Sequence, residues 1–149
     1  MGWLWDWKKI NWTNFFGAVA AVFVLGNAFG FAVHHKWLGP DYHRVAQLWR
    51  PETQMDSYMP FMWLATLLFS WAFVWVYAQG WEQKPWMQQG FRFAVLVWLL
   101  TCVPTFLTYY AIQPLPGQLV WKQIWGEFFT TLFLGWAVAW LYKPAKARA

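Results

Sequence analysis

This chain carries little charge and almost no sulfur chemistry. Asp, Glu, Lys and Arg make up 11% of its 149 residues, against about 25% in a typical soluble domain. So small a share of charge cannot cover a water-facing globule of this size, which excludes an ordinary soluble domain. The single cysteine, Cys102, excludes an intrachain disulfide and a multi-cysteine metal centre. Acidic side chains are scarce, six against eleven basic ones, for a net charge of +5. The basic residues are scattered over loops and tails, with no stripe or arginine-rich arm. That excludes nucleic-acid binding and leaves anionic lipid headgroups as their natural partners.

What the chain has is hydrophobic length. It is 60% hydrophobic and 24% aromatic, with 16 tryptophans. Four apolar stretches cover roughly residues 15–33, 60–77, 91–110 and 124–142. A hydrocarbon core of about 30 Å needs about 20 helical residues, and each stretch comes close. An open sheet cannot cross lipid, and the stretches lack the alternation of barrel strands, so helices are the expected form. Turn-forming residues separate them: Gln79-Gly80 and Lys84-Pro85, then Pro114, Pro116 and Gly117, with Pro144 after the last. The expectation is an all-α integral membrane protein over 1–149, a single antiparallel bundle of four transmembrane helices. The first apolar run is longer than a signal-peptide core and no small-x-small site follows it before His34, so it is expected to be retained. Asp6 stands where a myristoylation signal needs Ser or Thr.

With both termini on one side, that side carries Lys8, Lys9, Lys84, Arg92, Lys143, Lys146 and Arg148, and the other carries Lys36, Arg44, Arg50 and Lys122. Seven against four places the termini in the cytoplasm. The longest connection, 34–59, then faces outward. Within it, Tyr42, Val45, Ala46 and Trp49 have the spacing of a one-sided helix over 41–50. Asp41 near its start and Arg50 at its end suit the helix dipole, and Pro51 stops it. The reading is a short amphipathic surface helix between the first two spans, with a plain surface loop as the alternative.

Intramembrane polar residues are costly in lipid and therefore the best functional pointers. Glu127 lies about one turn inside the fourth helix, too far along the bundle for Arg92 to neutralise. Asn27 and His34 share a face of the first helix, and Thr101, Thr105 and Thr108 form a stripe on the third. The functional reading is a polar cleft at the outer side lined by Glu127, His34, Asn27 and Thr105, able to hold a proton, a cation or a small polar headgroup. The structural reading is that the threonines bond their own backbones, Asn27 joins helices, and Glu127 reaches the interface beside Lys122. His34, His35, Asp41 and His43 match no metal-ligand spacing, and adjacent helical histidines diverge by about 100°. No metal, haem or other cofactor is expected, and no nucleophile–base pair points to catalysis.

Pro104 is expected to kink the third helix and free the Leu100 carbonyl. Gly26 and Gly30 form a GxxxG pattern, and Gly135 belongs to a looser small-residue pair, all permitting close helix contact. Trp3, Trp5, Trp7, Trp12, Trp37, Trp81, Trp86, Trp121 and Trp125 fall near helix ends, as interfacial anchors do. Trp63, Trp71, Trp75, Trp98 and Trp136 fall deeper, where they serve either packing or a flat lipid-phase ligand.

Several short motifs carry a resemblance: Ile10-Asn-Trp, His35-Lys-Trp-Leu-Gly-Pro-Asp-Tyr42, Val76-Tyr-Ala-Gln-Gly-Trp-Glu82, Gln89-Gly-Phe-Arg-Phe93 and Trp125-Gly-Glu127. In these and in its layout the chain resembles small four-helix membrane proteins of bacteria. The resemblance implies the topology and a bacterial inner membrane, and transfers no activity and no catalytic residue. The expected role is non-enzymatic: an accessory or scaffolding subunit that packs in a larger membrane complex or against itself. The alternative is a carrier of an ion, small molecule or lipid-phase ligand, using the cleft around Glu127.

Overall fold

The computed structural model describes residues 10–144; Trp3, Trp5, Trp7 and the basic residues Lys8, Lys9, Lys146 and Arg148 lie outside them. The described chain is helical, with no strand among its residues. Helix α1 spans Trp12–Gly30 and continues as a π-helical segment, Phe31–Trp37. A short α2, Gly39–Arg44, and a 3-10 turn, Ala46–Leu48, lead to α3, Glu52–Gln79. Helices α4, Trp86–Ile112, and α5, Gly117–Leu141, complete the fold. Four helical segments are long and apolar enough to cross a membrane. They form the expected all-α bundle of a multi-pass membrane protein.

Proline sets three of the helix starts. Pro51, Pro85 and Pro116 each immediately precede α3, α4 and α5, with φ of −56°, −53° and −62°. The ring disfavours helical geometry in the residue before it, so a helix that begins after proline cannot grow backward. Asn11 caps α1 instead, accepting a bond from the Asn14 N–H at 3.3 Å.

All four spanning helices begin earlier than the apolar stretches suggest, α3 and α5 by the most. The α3 helix starts eight residues before Pro60, which lies inside it. Pro60 there forfeits only the bond to the Asp56 carbonyl, in an exposed stretch where water or headgroups can replace it. The α5 helix starts at Gly117 rather than near 124, because Gln118, Lys122 and Gln123 hide its first turns from hydropathy. The segment expected as one helix over 41–50 breaks at Val45, whose φ and ψ are −122° and 29°. Val45 and Leu38 turn inward and bury themselves against Leu115, Leu119, Val120 and Ile124. Contact with the bundle, not one-sided periodicity, decides this segment's shape.

The α5 helix is the hub, packing on α4 and on α1, while α3 packs chiefly on α1. At the proximal end, where α1 and α4 begin, one aromatic-rich core joins all four spans through Phe15, Val22, Phe73, Tyr77, Phe93, Leu134, Val138 and Tyr142. The Asn14 side chain donates to the Lys143 carbonyl at 3.1 Å and ties the two chain ends together there. At the distal end a second core forms without α3. Residues 53–65 of α3 are exposed, so its distal half stands apart from the bundle.

The α4–α5 crossing is the tightest. A Cβ built on Gly90 would lie 2.6 Å from the Gly135 carbonyl oxygen, and one on Gly135 would lie 2.6 Å from that of Gly90. Only glycine at both positions lets the backbones approach so closely. Nearby, the Trp136 indole N–H donates to the Met87 carbonyl at 3.2 Å. A Cβ on Gly26, by contrast, would make only ordinary contacts with Thr66 and Leu134, and one on Gly30 would meet nothing within 4 Å beyond its own helix. The GxxxG pair of α1 is therefore not the site of close contact inside this chain. Among the deep tryptophans, Trp71 and Trp75 meet Phe15 edge-on, with ring centroids 5.0 and 6.0 Å away. Pro104 leaves α4 continuous, and the Thr101 hydroxyl bonds the Val97 carbonyl rather than that of Leu100.

Candidate functional site: a polar cluster at the distal end

The cluster begins with a backbone irregularity. In the segment 31–37 the Leu38 N–H reaches back five residues to the Val33 carbonyl, at 2.9 Å. Such a π turn holds one more residue than an α turn and re-aims the side chains that follow, often at functional sites. It lies directly on Gly126 of α5, where a Cβ would come within 2.6 Å of Val33 Cγ1 and 3.3 Å of the Trp37 ring. The missing side chain at 126 is what lets the π segment settle against the turn that carries Glu127.

His34 Nε2 then lies 2.7 Å from Glu127 Oε1, and His34 Nδ1 lies 2.7 Å from the Tyr42 hydroxyl. The Gln123 amide nitrogen donates to the same hydroxyl at 3.1 Å. Gln123 and Glu127 are four residues apart and share a face of α5, so one helix presents both. Donor and acceptor chemistry orders the protons. With an ionised carboxylate and a neutral imidazole, Nε2–H donates to Glu127 and Nδ1 accepts from Tyr42 O–H, whose oxygen accepts from Gln123. This is one continuous chain through the π segment, α2 and α5.

Burial pushes the Tyr42 phenol above its ordinary 10.0, and the charges of Glu127 and Asp41 add to the effect, against a lowering bond from Gln123. Tyr42 is thereby held as a neutral O–H donor at ordinary pH. Beside it, Asp41 accepts from Lys122 at 2.6 Å and from Arg44 at 3.3 Å. That pairing fastens α2 to the first turns of α5. From α4, the Trp98 indole N–H donates to the Ile124 carbonyl at 2.9 Å. The cluster opens outward: the His34 and Glu127 side chains are 36% and 21% exposed. Gln123 is 3% exposed, and its Oε1 is buried with no partner among the described residues.

Of the four residues expected to line one cleft, the structure joins His34 and Glu127. Asn27 donates to the Phe23 carbonyl of its own helix at 2.8 Å, and Thr105 donates to the Thr101 carbonyl at 2.6 Å. In an apolar surround a hydroxyl or amide bonded to its own helix gains nothing by turning to a cleft, so these two stand outside the cluster. Tyr42, Gln123, Asp41 and Lys122 take their places. Gln123 was legible by its spacing of four from Glu127; Tyr42 was hidden because its ring reads as part of an apolar face. His35 stacks on Phe31, at 4.7 Å between centroids, and points away from this chain of bonds. Among the described residues, no three of His, Cys, Asp and Glu converge as a metal site would require. Comparison with protein-family models, with curated proteins and with solved structures found no match for this chain.

Proposed function

We propose that this chain is a non-enzymatic integral membrane subunit that holds a small ion or polar ligand at its distal cluster. The observation that carries the reading is the 2.7 Å contact between His34 and Glu127, half-open to solvent and continued through Tyr42 to Gln123. Ionisable pairs at a membrane helix end are costly to keep, and here both members sit where a ligand can reach them. Tyr42, held neutral, is a hydrogen-bond donor rather than an activated nucleophile, which favours binding over catalysis. Further along α5, beyond the buried Thr130 and Thr131, the buried residues are apolar or glycine, among them Leu134, Val138 and Ala139, so the ligand enters and leaves from one side. The distribution of basic residues supports both termini in the cytoplasm, and the resemblance of the short motifs implies a bacterial inner membrane.

The test follows thermal unfolding by tryptophan fluorescence in detergent, over a range of pH and with sodium, potassium or ammonium added. The reading expects at least one condition that stabilises the parent protein and leaves Glu127→Gln unmoved. Parallel responses of the two proteins throughout would sink it.

A second reading, a scaffolding or self-associating subunit, is favoured by the free distal half of α3. Residues 53–65 are exposed, and an apolar groove of about 500 Å3 runs between α1 and α3 beside Phe16, Phe23, Leu67 and Trp71. Packing against a second membrane protein would gain van der Waals contact along both. Extraction in mild detergent, followed by native gel and mass spectrometry, should then recover a defined complex. Migration as a monomer would remove this reading.

A further inference from the structure

The opening beside Glu127 faces the bilayer. In the proximal half of the bundle α3 and α4 meet: the Phe93 ring lies 4.7 Å from that of Phe73 and 5.3 Å from that of Tyr77. Farther out, Thr66 of α3 and Leu134 of α5 both border Gly26, and beyond that point residues 53–65 of α3 are exposed. By helical spacing, the face of α3 that carries Phe73 continues through Thr66 to Met62, Met59 and Met55. These methionines are 55%, 39% and 43% exposed. The face of α4 that carries Phe93 and Val97 continues to Thr101, Thr105 and Thr108, which are exposed as well. Two faces that touch in one half of the bundle are thus apart in the other, and between them lies a slot open sideways to lipid.

Glu127 lies at the back of this slot. It shares the face of α5 that carries Leu134, seven residues away, and so sits about 10 Å beyond the point where α3 departs. His34 flanks it from the π segment. The connection that carries Tyr42 packs on the first turns of α5 through Leu38 and Val45, and roofs the slot on the water side.

The lining calls for a ligand that donates. The Thr101 and Thr105 hydroxyls give their protons to carbonyls of their own helix, at 2.8 and 2.6 Å, so their oxygens are left as acceptors. The Glu127 carboxylate also accepts, and among the described residues its ion-pair contact is His34 alone. The cations of the cluster, Lys122 and Arg44, are both engaged by Asp41, which leaves neither for a phosphate. Opposite the threonines, the methionines offer flexible apolar side chains that adapt to an alkyl chain. On the footing of the binding reading above, we propose that the ligand is an amphiphile of the bilayer with a primary ammonium head and no phosphate. Its head reaches Glu127 from the side, and its chain lies between the methionine face of α3 and the threonine face of α4.

The experiment places the full chain in phosphatidylcholine nanodiscs with hexadecylamine that carries a photoreactive diazirine at mid-chain, and in parallel with the matching hexadecanol. After illumination, mass spectrometry maps the labelled residues. The amine should label Met55, Met59, Met62 and the stretch 101–108 about tenfold more than the alcohol does, the gain expected of one charge-assisted hydrogen bond. Glu127→Gln should bring the amine down to the level of the alcohol. Equal labelling by the two probes means that bulk lipid fills the slot, and overturns the proposal. So does a slot that neither probe labels because a second copy of the chain or another protein fills it, and so does amine labelling unchanged in Glu127→Gln. Competition on the parent chain by unlabelled hexadecylamine, and not by hexadecanol, decides the matter even where Glu127→Gln does not fold. Stabilisation by ammonium or sodium ions that depends on Glu127, without selective labelling, rejects the amphiphile and leaves the binding reading standing. Failure of both measurements removes both.

Discussion

Gly126 lies directly beneath Val33, so close that a methyl group at 126 would sit 2.6 Å from Val33 Cγ1. A β-branched side chain on a helical backbone has little rotamer freedom with which to move aside. The π segment would have to lift, and His34 would leave Glu127. Gly126→Ala is therefore expected to cost about 1–3 kcal/mol of stability. It should also make the Trp37 ring more accessible. Thermal unfolding and quenching of tryptophan fluorescence by acrylamide check the two parts. An alanine variant that matches the parent in both rules out this seating of the segment.

The α4–α5 crossing makes a sharper version of the same prediction. A Cβ at Gly90 or Gly135 meets a backbone carbonyl at 2.6 Å, and backbone cannot rotate out of the way. Either alanine variant should lose more stability than Gly30→Ala, which has open space around it and serves as the control. The separation is expected to be about 1–3 kcal/mol, read as the difference in unfolding midpoint in one detergent.

Tyr42→Phe deletes the hydroxyl shared by His34 and Gln123, leaving the Gln123 amide N–H without its acceptor. The expected loss is about 1–3 kcal/mol. The same variant isolates the phenol. An alkaline ultraviolet titration of the parent minus that of Tyr42→Phe should show a midpoint above 10.0, because burial raises it.

The sign of the linked stability follows. A group that holds its proton more tightly when folded contributes fully below the unfolded value. Its contribution is lost as pH rises through the folded value, because the unfolded chain ionises first. The parent should therefore lose stability above pH 10.0 more steeply than Tyr42→Phe. Equal slopes for the two proteins would count against a buried phenol.

The ion pair of α2 with α5 gives a smaller effect. Lys122 is 41% exposed and bonds Asp41, which is 15% exposed. Solvent screening limits such a pair to about 1 kcal/mol or less. Lys122→Met should lower the unfolding midpoint slightly, and added salt should narrow its gap from the parent.

Length and hydropathy alone determined the class of this protein. Stretches of this length and polarity allow helices in lipid and little else, because every backbone amide must find its partner within the segment. Proline placement made the turns legible, although hydropathy missed the first turns of α3 and α5, where polar residues extend a helix beyond its apolar part. His34 and Glu127 stood out as costly intramembrane groups, but 93 positions separate them, and no periodicity joins residues so distant. Only the packing of the π segment on Gly126 brings them together. Nor could spacing choose among the glycines. Gly26 and Gly30 carry the stronger pattern, yet Gly90 and Gly135 make the close contact. The reason is physical: a sequence pattern says which faces can approach, whereas helix rotation and crossing point, set by the whole core at once, decide which faces do.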